Sequence, residues 1–210
     1  MLIPQFPAIS GKNSNFFNQE QEQNATRKIM IDNLKFITEL TIEVSDLSAT
    51  DYLGRFLAET LPDGSVVALI GTLGSGKTRL VQAVAHYSGI EQGMVSSPTF
   101  VLLHEYDGNR PIYHFDTYRL TNEEEFRQLS PDDYFEGTGV TFVEWADKFP
   151  TVLPEERLEI RIEITGNTQR KFQITAFGNL FNKTMKRIVS EFGGDIFTLG
   201  RYQSPIVELH

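Results

Sequence analysis

The stretch GTLGSGKT, from Gly71 to Thr78, constrains the fold of this chain more than any other feature. It follows the apolar run VVALI and precedes KTRLVQAVAHYSG, so it joins a predicted buried strand to a predicted helix. The spacing satisfies G-x-x-x-x-G-K-[ST], a pattern in which glycines let backbone N–H groups approach phosphate oxygens. A helix that begins at the lysine also directs its positive end toward an anion. The competing interpretation, a glycine-rich connection with an exposed lysine, is disfavoured by the flanking strand and helix.

The motif predicts distinct roles for its polar side chains. Lys77 is expected to reach the β- and γ-phosphates of a nucleotide, and Thr78 to place its hydroxyl on Mg²⁺. Such a site also needs an acid for the metal, normally at the end of a buried strand. The run IYHFD ends in Asp116 and the run VTFVE ends in Glu144, and the sequence leaves open which of them binds the metal directly. Thr99, in SSPTF, is a candidate switch residue near the γ-phosphate.

The remaining pattern predicts an α/β domain with a P-loop NTPase-like mixed β-sheet flanked by helices, with antiparallel hairpins. FITELTIEVS alternates like a strand, and DLSATDYLGRFLAETL has helical spacing. TFVLLHEY and PIYHFDTY read as one hairpin around DGNR, and RLEIRIEITGNTQRKFQITAF reads as another. TNEEEFRQL begins with a predicted capping box from Thr121 to Glu124.

Composition divides the chain into three parts. Residues 1–38 are rich in Asn, Gln and Ser, and we expect this N-terminal extension to be mostly disordered. Residues 39–177 form the predicted nucleotide-binding domain. Residues 178–210 form a C-terminal extension, an amphipathic helix plus a tail. An apolar stripe on this helix is expected to pack on the domain itself, and it comprises Phe181, Met185, Ile188 and Phe192.

Charge and composition exclude several classes of function. The chain has no cysteine, which excludes disulfides and thiolate zinc sites. Its net charge of -9 makes it a poor candidate for binding nucleic acid alone. Apolar runs are too short to span a bilayer and no secretory signal is evident, so we expect a cytoplasmic protein without membrane association. The four histidines lack metal-ligand spacing, and the single tryptophan, Trp145, is expected to be a packing residue. The guanine-recognition pattern N-K-x-D is missing its aspartate in NKTM, from Asn182 to Met185, which favours ATP over GTP.

Five segments together resemble the TsaE (YjeE) family: GTLGSGKT, SSPTFVLLHEY, YHFDTYRL, FVEWAD and a later hairpin that contains Arg170. The resemblance extends over residues 40–177. It implies a small P-loop ATPase required for N6-threonylcarbamoyladenosine at position 37 of tRNA. It also implies that the protein binds the TsaB–TsaD pair, whose TsaD subunit transfers the threonylcarbamoyl group, and resets that complex through ATP hydrolysis. Contact with tRNA would then be indirect, through these partners.

The resemblance further implies a set of site residues, with ATP and Mg²⁺ as cofactors. The phosphate loop corresponds to Leu73, Gly74, Ser75, Gly76, Lys77 and Thr78, and the Mg²⁺ positions to Thr78 and Glu144. Lys77, Asp116 and Thr99 correspond to catalytic positions. Arg170 corresponds to a basic residue near the nucleotide, although Gln169 competes for that place, and Asp46 corresponds to a nucleotide contact. Ala146 replaces the proline that usually follows Glu-Trp.

Two other functions remain compatible with the phosphate loop. A small-molecule kinase would normally bring an arginine-rich lid over the γ-phosphate, but only Arg119 and Arg127 lie between the two candidate acids. A nucleotide-gated adaptor would bind nucleotide without hydrolysing it. Intact Lys77, Thr78, Asp116 and Glu144 favour hydrolysis over this second alternative.

Overall fold

The computed structural model describes residues 39–192 and 195–197. The predicted disorder of residues 1–38 and most of the predicted C-terminal tail lie outside the described residues. No helix in the described part of the chain is both long and apolar enough to cross a membrane.

Eight strands, five α-helices and one 3₁₀ turn make up the described fold. The strands are β1 (Glu39–Val44), β2 (Val66–Ile70), β3 (Leu103–Tyr106), β4 (Ile112–Asp116), β5 (Val140–Glu144), β6 (Arg157–Ile164), β7 (Arg170–Phe177) and β8 (Asp195–Phe197). The helices are α1 (Leu47–Thr60), α2 (Lys77–Tyr87), α3 (Glu123–Arg127), α4 (Pro131–Phe135) and α5 (Asn182–Phe192), and the 3₁₀ turn is Ala146–Lys148.

All eight strands belong to one mixed sheet, in the order β3-β4-β5-β2-β6-β7-β1-β8. The central strands β4, β5, β2 and β6 are parallel, whereas β3, β7, β1 and β8 pair in antiparallel fashion. All five residues of β2 are buried, which explains why VVALI is a continuous apolar run rather than an alternating one. The predicted mixed sheet with helices and antiparallel hairpins is therefore confirmed. Pairing of β8 with β1 was not predicted, because this segment was expected to be part of a tail.

The sheet order brings the two candidate acids side by side. Asp116 is the last residue of β4, Glu144 is the last residue of β5, and the two are register partners across parallel strands. On the other side of β5, Leu69 of β2 is the register partner of Glu144, so the chain leaves β2 beside Glu144 and two strands from Asp116. Because parallel strands end at a common edge, the glycine-rich loop and both carboxylates lie there.

The long helices pack closely on one another and on the rest of the domain. Gly54 lets α1 approach α2, since an added Cβ would lie 2.3 Å from the Cβ of Ala83. The predicted apolar stripe is buried on the domain, as Phe181 just before α5 and Met185 and Ile188 within it are fully inaccessible to solvent. At the end of α5, the ring of Phe192 packs against the rings of Tyr52 and Phe56.

Two local predictions are wrong in detail. The predicted strand TFVLLHEY begins only at Leu103, because the N–H groups of Val101 and Leu102 turn back to the Pro98 carbonyl. Leu102 has a left-handed φ of 69°, which ends the extended conformation. The predicted capping box is displaced by one residue.

The N-cap of α3 is Asn122, whose side chain accepts a hydrogen bond from the Glu125 N–H. In return the Glu125 carboxylate accepts from the N–H and hydroxyl of Thr121. Asn and Thr are both good N-cap residues, so their order alone does not decide which of them caps the helix.

Candidate functional site

The glycine-rich loop has a backbone that only glycine adopts readily. Gly74 and Gly76 have φ values of 77° and 108°, and Gly71 also has a positive φ. A Cβ on Gly71 would lie 2.5 Å from the Ile162 carbonyl oxygen, so a side chain does not fit there. Gly76 is the N-cap of α2 and provides no side-chain cap. The first N–H groups of α2 therefore donate no hydrogen bond to a side chain at the N-cap position, and helix N-termini of this kind commonly bind phosphate.

Lys77 is buried at the start of α2, with 4% of its surface exposed. Its Nζ donates to the carbonyl oxygens of Gly71 (2.8 Å) and Thr72 (3.1 Å), and it lies 3.8 Å from the centroid of the Trp145 ring. Burial lowers the pKa of Lys77, and the nearby carboxylates, Glu144 first among them, oppose that effect. The loop therefore holds a costly buried cation that a bound phosphate would compensate.

Thr78 and Glu144 meet although they lie on different elements. The Thr78 hydroxyl donates to Glu144 Oε1 at 2.6 Å, and His114 Nε2 lies 2.8 Å from the same oxygen. Glu144 is 3% exposed. A hydroxyl beside a carboxylate offers the oxygen ligands that Mg²⁺ prefers, so these two residues fit the predicted metal position. Among the described residues there is no group of three or more His, Asp or Glu side chains that could hold a metal, so phosphate and water oxygens would have to complete the shell.

Asp116 is paired differently from Glu144. Its Oδ2 accepts hydrogen bonds from the hydroxyls of Thr99 (2.6 Å) and Ser97 (2.9 Å), and its Oδ1 accepts from the Tyr118 N–H. The structure thus brings together Thr99 and Asp116, two of the predicted site residues. Both carboxylate oxygens of Asp116 accept from protein donors, whereas the Glu144 carboxylate makes both of its hydrogen bonds through Oε1.

Arg170, at the start of β7, braces the glycine-rich loop. Its guanidinium donates to the carbonyl oxygens of Ser75 (2.9 Å) and Gly74 (3.3 Å), and also to those of Gly166 and Gln169 in its own hairpin turn. Arg170 rather than Gln169 therefore reaches the loop with its side chain. All four acceptors are backbone carbonyls, so in this conformation Arg170 supports the shape of the loop.

Two other predicted residues lie at the periphery. Asp46 is the N-cap of α1, and its Oδ1 accepts from the Ala49 N–H at 2.9 Å, a bond that lowers the pKa of Asp46. Its hydrogen bonds within the described chain are local, so the geometry assigns it to capping. Leu73, in the middle of the loop, is 80% exposed.

Sequence reasoning missed three residues of this site. Trp145, expected to be simple packing, has a left-handed φ of 58°, lies over the Lys77 ammonium and packs against the Tyr118 ring. His114 was set aside for want of metal-ligand spacing, and Ser97 was not singled out. The available signal for His114 was its position two residues before Asp116, since alternate residues of a strand share one face.

A pocket of about 350 Å³ lies away from the loop, on the side of α2 that carries Arg79, Gln82 and His86. None of the predicted site residues lines it. The candidate site is therefore separate from this pocket and is defined by the loop and the two strand ends.

A glycine-rich loop between a central parallel strand and a helix, with acids at the ends of adjacent strands, defines a P-loop NTPase-like α/β protein. A more specific assignment comes from similarity to known proteins. The family model described as "Threonylcarbamoyl adenosine biosynthesis protein TsaE" matches residues 44–172. The chain belongs to the TsaE family.

Individual relatives agree with this assignment. The protein named tRNA threonylcarbamoyladenosine biosynthesis protein TsaE from Bacillus subtilis is 41% identical over 133 residues, covering 63% of this chain and 82% of the relative. The protein of the same name from Synechocystis is 46% identical over 110 residues, covering 50% of this chain and 69% of the relative. The crystal structure of Bacillus subtilis YdiB superposes with a TM-score of 0.57 at 31% identity, covering 72% of this chain and 93% of that one.

Proposed function

We propose that this protein is a Mg²⁺-dependent ATPase that serves the formation of N6-threonylcarbamoyladenosine in tRNA. The pathway is the one in the names of its family and relatives. The ATPase activity rests chiefly on one observation, the hydrogen bond from the Thr78 hydroxyl to Glu144 at the edge where the glycine-rich loop begins α2.

The loop and α2 would bind the phosphates of ATP. N–H groups at the start of α2 would donate to phosphate oxygens, and Lys77 would exchange its loop carbonyls for the β- and γ-phosphates. Thr78 and Glu144 would hold Mg²⁺, Glu144 through Oε2, which accepts no hydrogen bond from the described residues. Bound Mg²⁺ would neutralise part of the charge on the phosphates.

Asp116 and Thr99 would position the water that attacks the γ-phosphate. The attack breaks the bond between the γ-phosphorus and the bridging oxygen and yields ADP and inorganic phosphate. Because Asp116 Oδ2 already orients the Thr99 hydroxyl, the aspartate can act on the water through that hydroxyl or after releasing it. This assignment separates the two acids, Glu144 for the metal and Asp116 for the water.

The structure offers one argument for ATP over GTP. The NKTM segment forms the first turn of α5, where the Thr184 hydroxyl donates to the Thr60 carbonyl and Met185 is buried. It is thus a packed helix start and not a loop free to read a guanine base.

We further propose that the protein acts by binding the TsaB–TsaD pair and resetting it through ATP hydrolysis. The net charge of -9 disfavours direct binding of tRNA by this protein alone. Phe100 and Val101, immediately after Thr99, are 80% and 59% exposed. Apolar side chains beside a switch residue are suited to docking on a protein that controls the position of that residue.

The test measures Mg²⁺-dependent release of phosphate from ATP and capture by immobilised TsaB–TsaD, with and without ATP. We expect slow hydrolysis by the isolated protein, acceleration by the pair, and no hydrolysis by the Lys77→Ala variant. Phosphorylation of a small-molecule acceptor would instead identify a kinase. Nucleotide-dependent capture without any turnover would identify an adaptor.

A further inference from the structure

His114 is a buried histidine that the proposed chemistry does not yet use. It lies on β4, is fully inaccessible to solvent, and has its Nε2 2.8 Å from Glu144 Oε1. Its other ring nitrogen, Nδ1, is buried and has no hydrogen-bond partner in the described part of the chain. A buried imidazole with one unpaired nitrogen is costly, since nearly all buried polar groups are hydrogen-bonded.

The hydrogen-bonding roles follow from the chemistry of the partner. An ionised carboxylate oxygen accepts only, so Nε2 carries the hydrogen and donates it to Glu144. The Thr78 hydroxyl donates to the same oxygen, and together the two donors fix the orientation of the carboxylate. This leaves Oε2 of Glu144 without a hydrogen bond from any described residue.

We propose that His114 is a positioning residue that holds Glu144 so that Oε2 can bind Mg²⁺ or its water. The inference rests on the proposed function, because it concerns the same metal position. Groups that orient a metal ligand in this way commonly account for about 10- to 100-fold in metal affinity or activity. Here the effect is expected on the metal and not on the folding of the strand.

The experiment compares three single histidine variants with the parent protein, and adds Glu144→Ala with and without His114→Leu. His114→Leu removes the donor with little change in volume, and His114→Gln keeps an N–H that can reach Glu144. The matched control is His104→Gln, because His104 is the register partner of His114 on β3 but hydrogen-bonds to Tyr106. Each protein is measured for the Mg²⁺ concentration that half-saturates ATP hydrolysis, for ATP affinity in EDTA, and for melting temperature.

We expect His114→Leu to raise the half-saturating Mg²⁺ concentration about tenfold, with ATP affinity in EDTA unchanged. Its melting temperature should stay close to that of the parent, because losing the Nε2 bond to Glu144 is offset by removing the buried Nδ1 that has no partner. His114→Gln should recover most of the Mg²⁺ affinity, and His104→Gln should match the parent. Adding His114→Leu to Glu144→Ala should cause no further loss, since the histidine acts through that carboxylate.

Other outcomes would overturn the inference in distinguishable ways. If the parent requires Mg²⁺ and His114→Leu has the same requirement, His114 does not position Glu144 and the proposed function stands. If His114→Leu lowers both the melting temperature and the ATP affinity in EDTA, His114 is a structural residue and not a positioning residue for the metal. A parent protein that neither binds nor hydrolyses ATP with Mg²⁺ would refute the proposed function together with this role.

Discussion

Replacing Arg170 by alanine should weaken ATP binding by loosening the glycine-rich loop and not by removing a phosphate contact. The guanidinium joins the β6–β7 hairpin turn to the loop through the carbonyls of Ser75 and Gly74. In the alanine variant these carbonyls lose their donor, and the loop must be ordered when nucleotide binds.

The size of the effect follows from the two bonds. Hydrogen bonds from a charged donor contribute about 1.5–3 kcal/mol each when well formed. The bond to Ser75, a residue with no exposed surface, is 2.9 Å long, whereas the bond to the exposed Gly74 is 3.3 Å and weaker. Because Arg170 is itself partly exposed, we take the lower end, about 1.5 kcal/mol in the free energy of unfolding. If binding must restore the same order, the Kd for ATP rises about tenfold.

The assay combines urea unfolding with calorimetric titration of ATP. Arg170→Lys is the informative companion, because lysine keeps the charge but lacks the planar fork that reaches several carbonyls. If Arg170 acts by stabilising the glycine-rich loop, both variants lose free energy of unfolding and ATP affinity together. Lys171→Ala is the matched control, since its side chain is on the opposite face of β7 and its Glu163 pairing is exposed.

A different pattern would refute this reasoning. If Arg170→Ala lost more than about 100-fold in ATP affinity with unchanged stability, and Arg170→Lys kept most of the affinity, the residue would act as a phosphate ligand. Unchanged stability and unchanged affinity in both variants would show that the loop keeps its shape unaided.

Three further predictions concern the site and the extension. Lys77→Ala should abolish productive ATP binding. Burial lowers the pKa of Lys77 below 10.5, so the unfolded state keeps this proton to a higher pH than the folded state does. Between the folded and unfolded pKa values the stability of the parent should therefore rise relative to that of Lys77→Ala, which thermal unfolding at several pH values will measure. Glu144→Ala should weaken the Mg²⁺ dependence of ATP binding, whereas Asp116→Ala should lower turnover more than ATP binding. ATP affinities and single-turnover rates measured at several Mg²⁺ concentrations would show whether the metal role and the water role are exchanged between the two acids. Deleting residues 1–29 should leave the melting temperature and ATPase activity nearly unchanged, since their composition lacks the apolar content of a core.

Some features of the site depend on local sequence and could be predicted. The loop motif requires glycine at positions of positive φ, and that requirement is met within eight consecutive residues. Likewise, a buried strand that ends in an acid, as β4 and β5 do, is visible as an apolar run with one terminal carboxylate. The hairpin of β6 and β7 was predictable because alternation and a Gly-Asn turn lie in one continuous segment.

Local sequence was insufficient where contacts to residues distant in the chain override strand propensity. TFVLLHEY has strong strand propensity, yet its first residues form a turn. In this conformation the hydroxyls of Thr99 and of Ser97, two residues earlier, donate to Asp116. The polar contacts to one buried carboxylate override the preference of the segment, as tertiary context often does.

The sequence by itself determined the strand, loop and helix that carry Lys77 and Thr78, because each depends on residues adjacent in the chain. Only the tertiary structure decided which acid lies beside Thr78 and which residue braces the loop. Thr78 and Glu144 are 66 residues apart, and Arg170 is 95 residues from Ser75. Such contacts depend on the order and register of strands in the sheet, which no local pattern specifies. The pairing of β4 with β5 also places His114 beside Glu144, the candidate metal ligand.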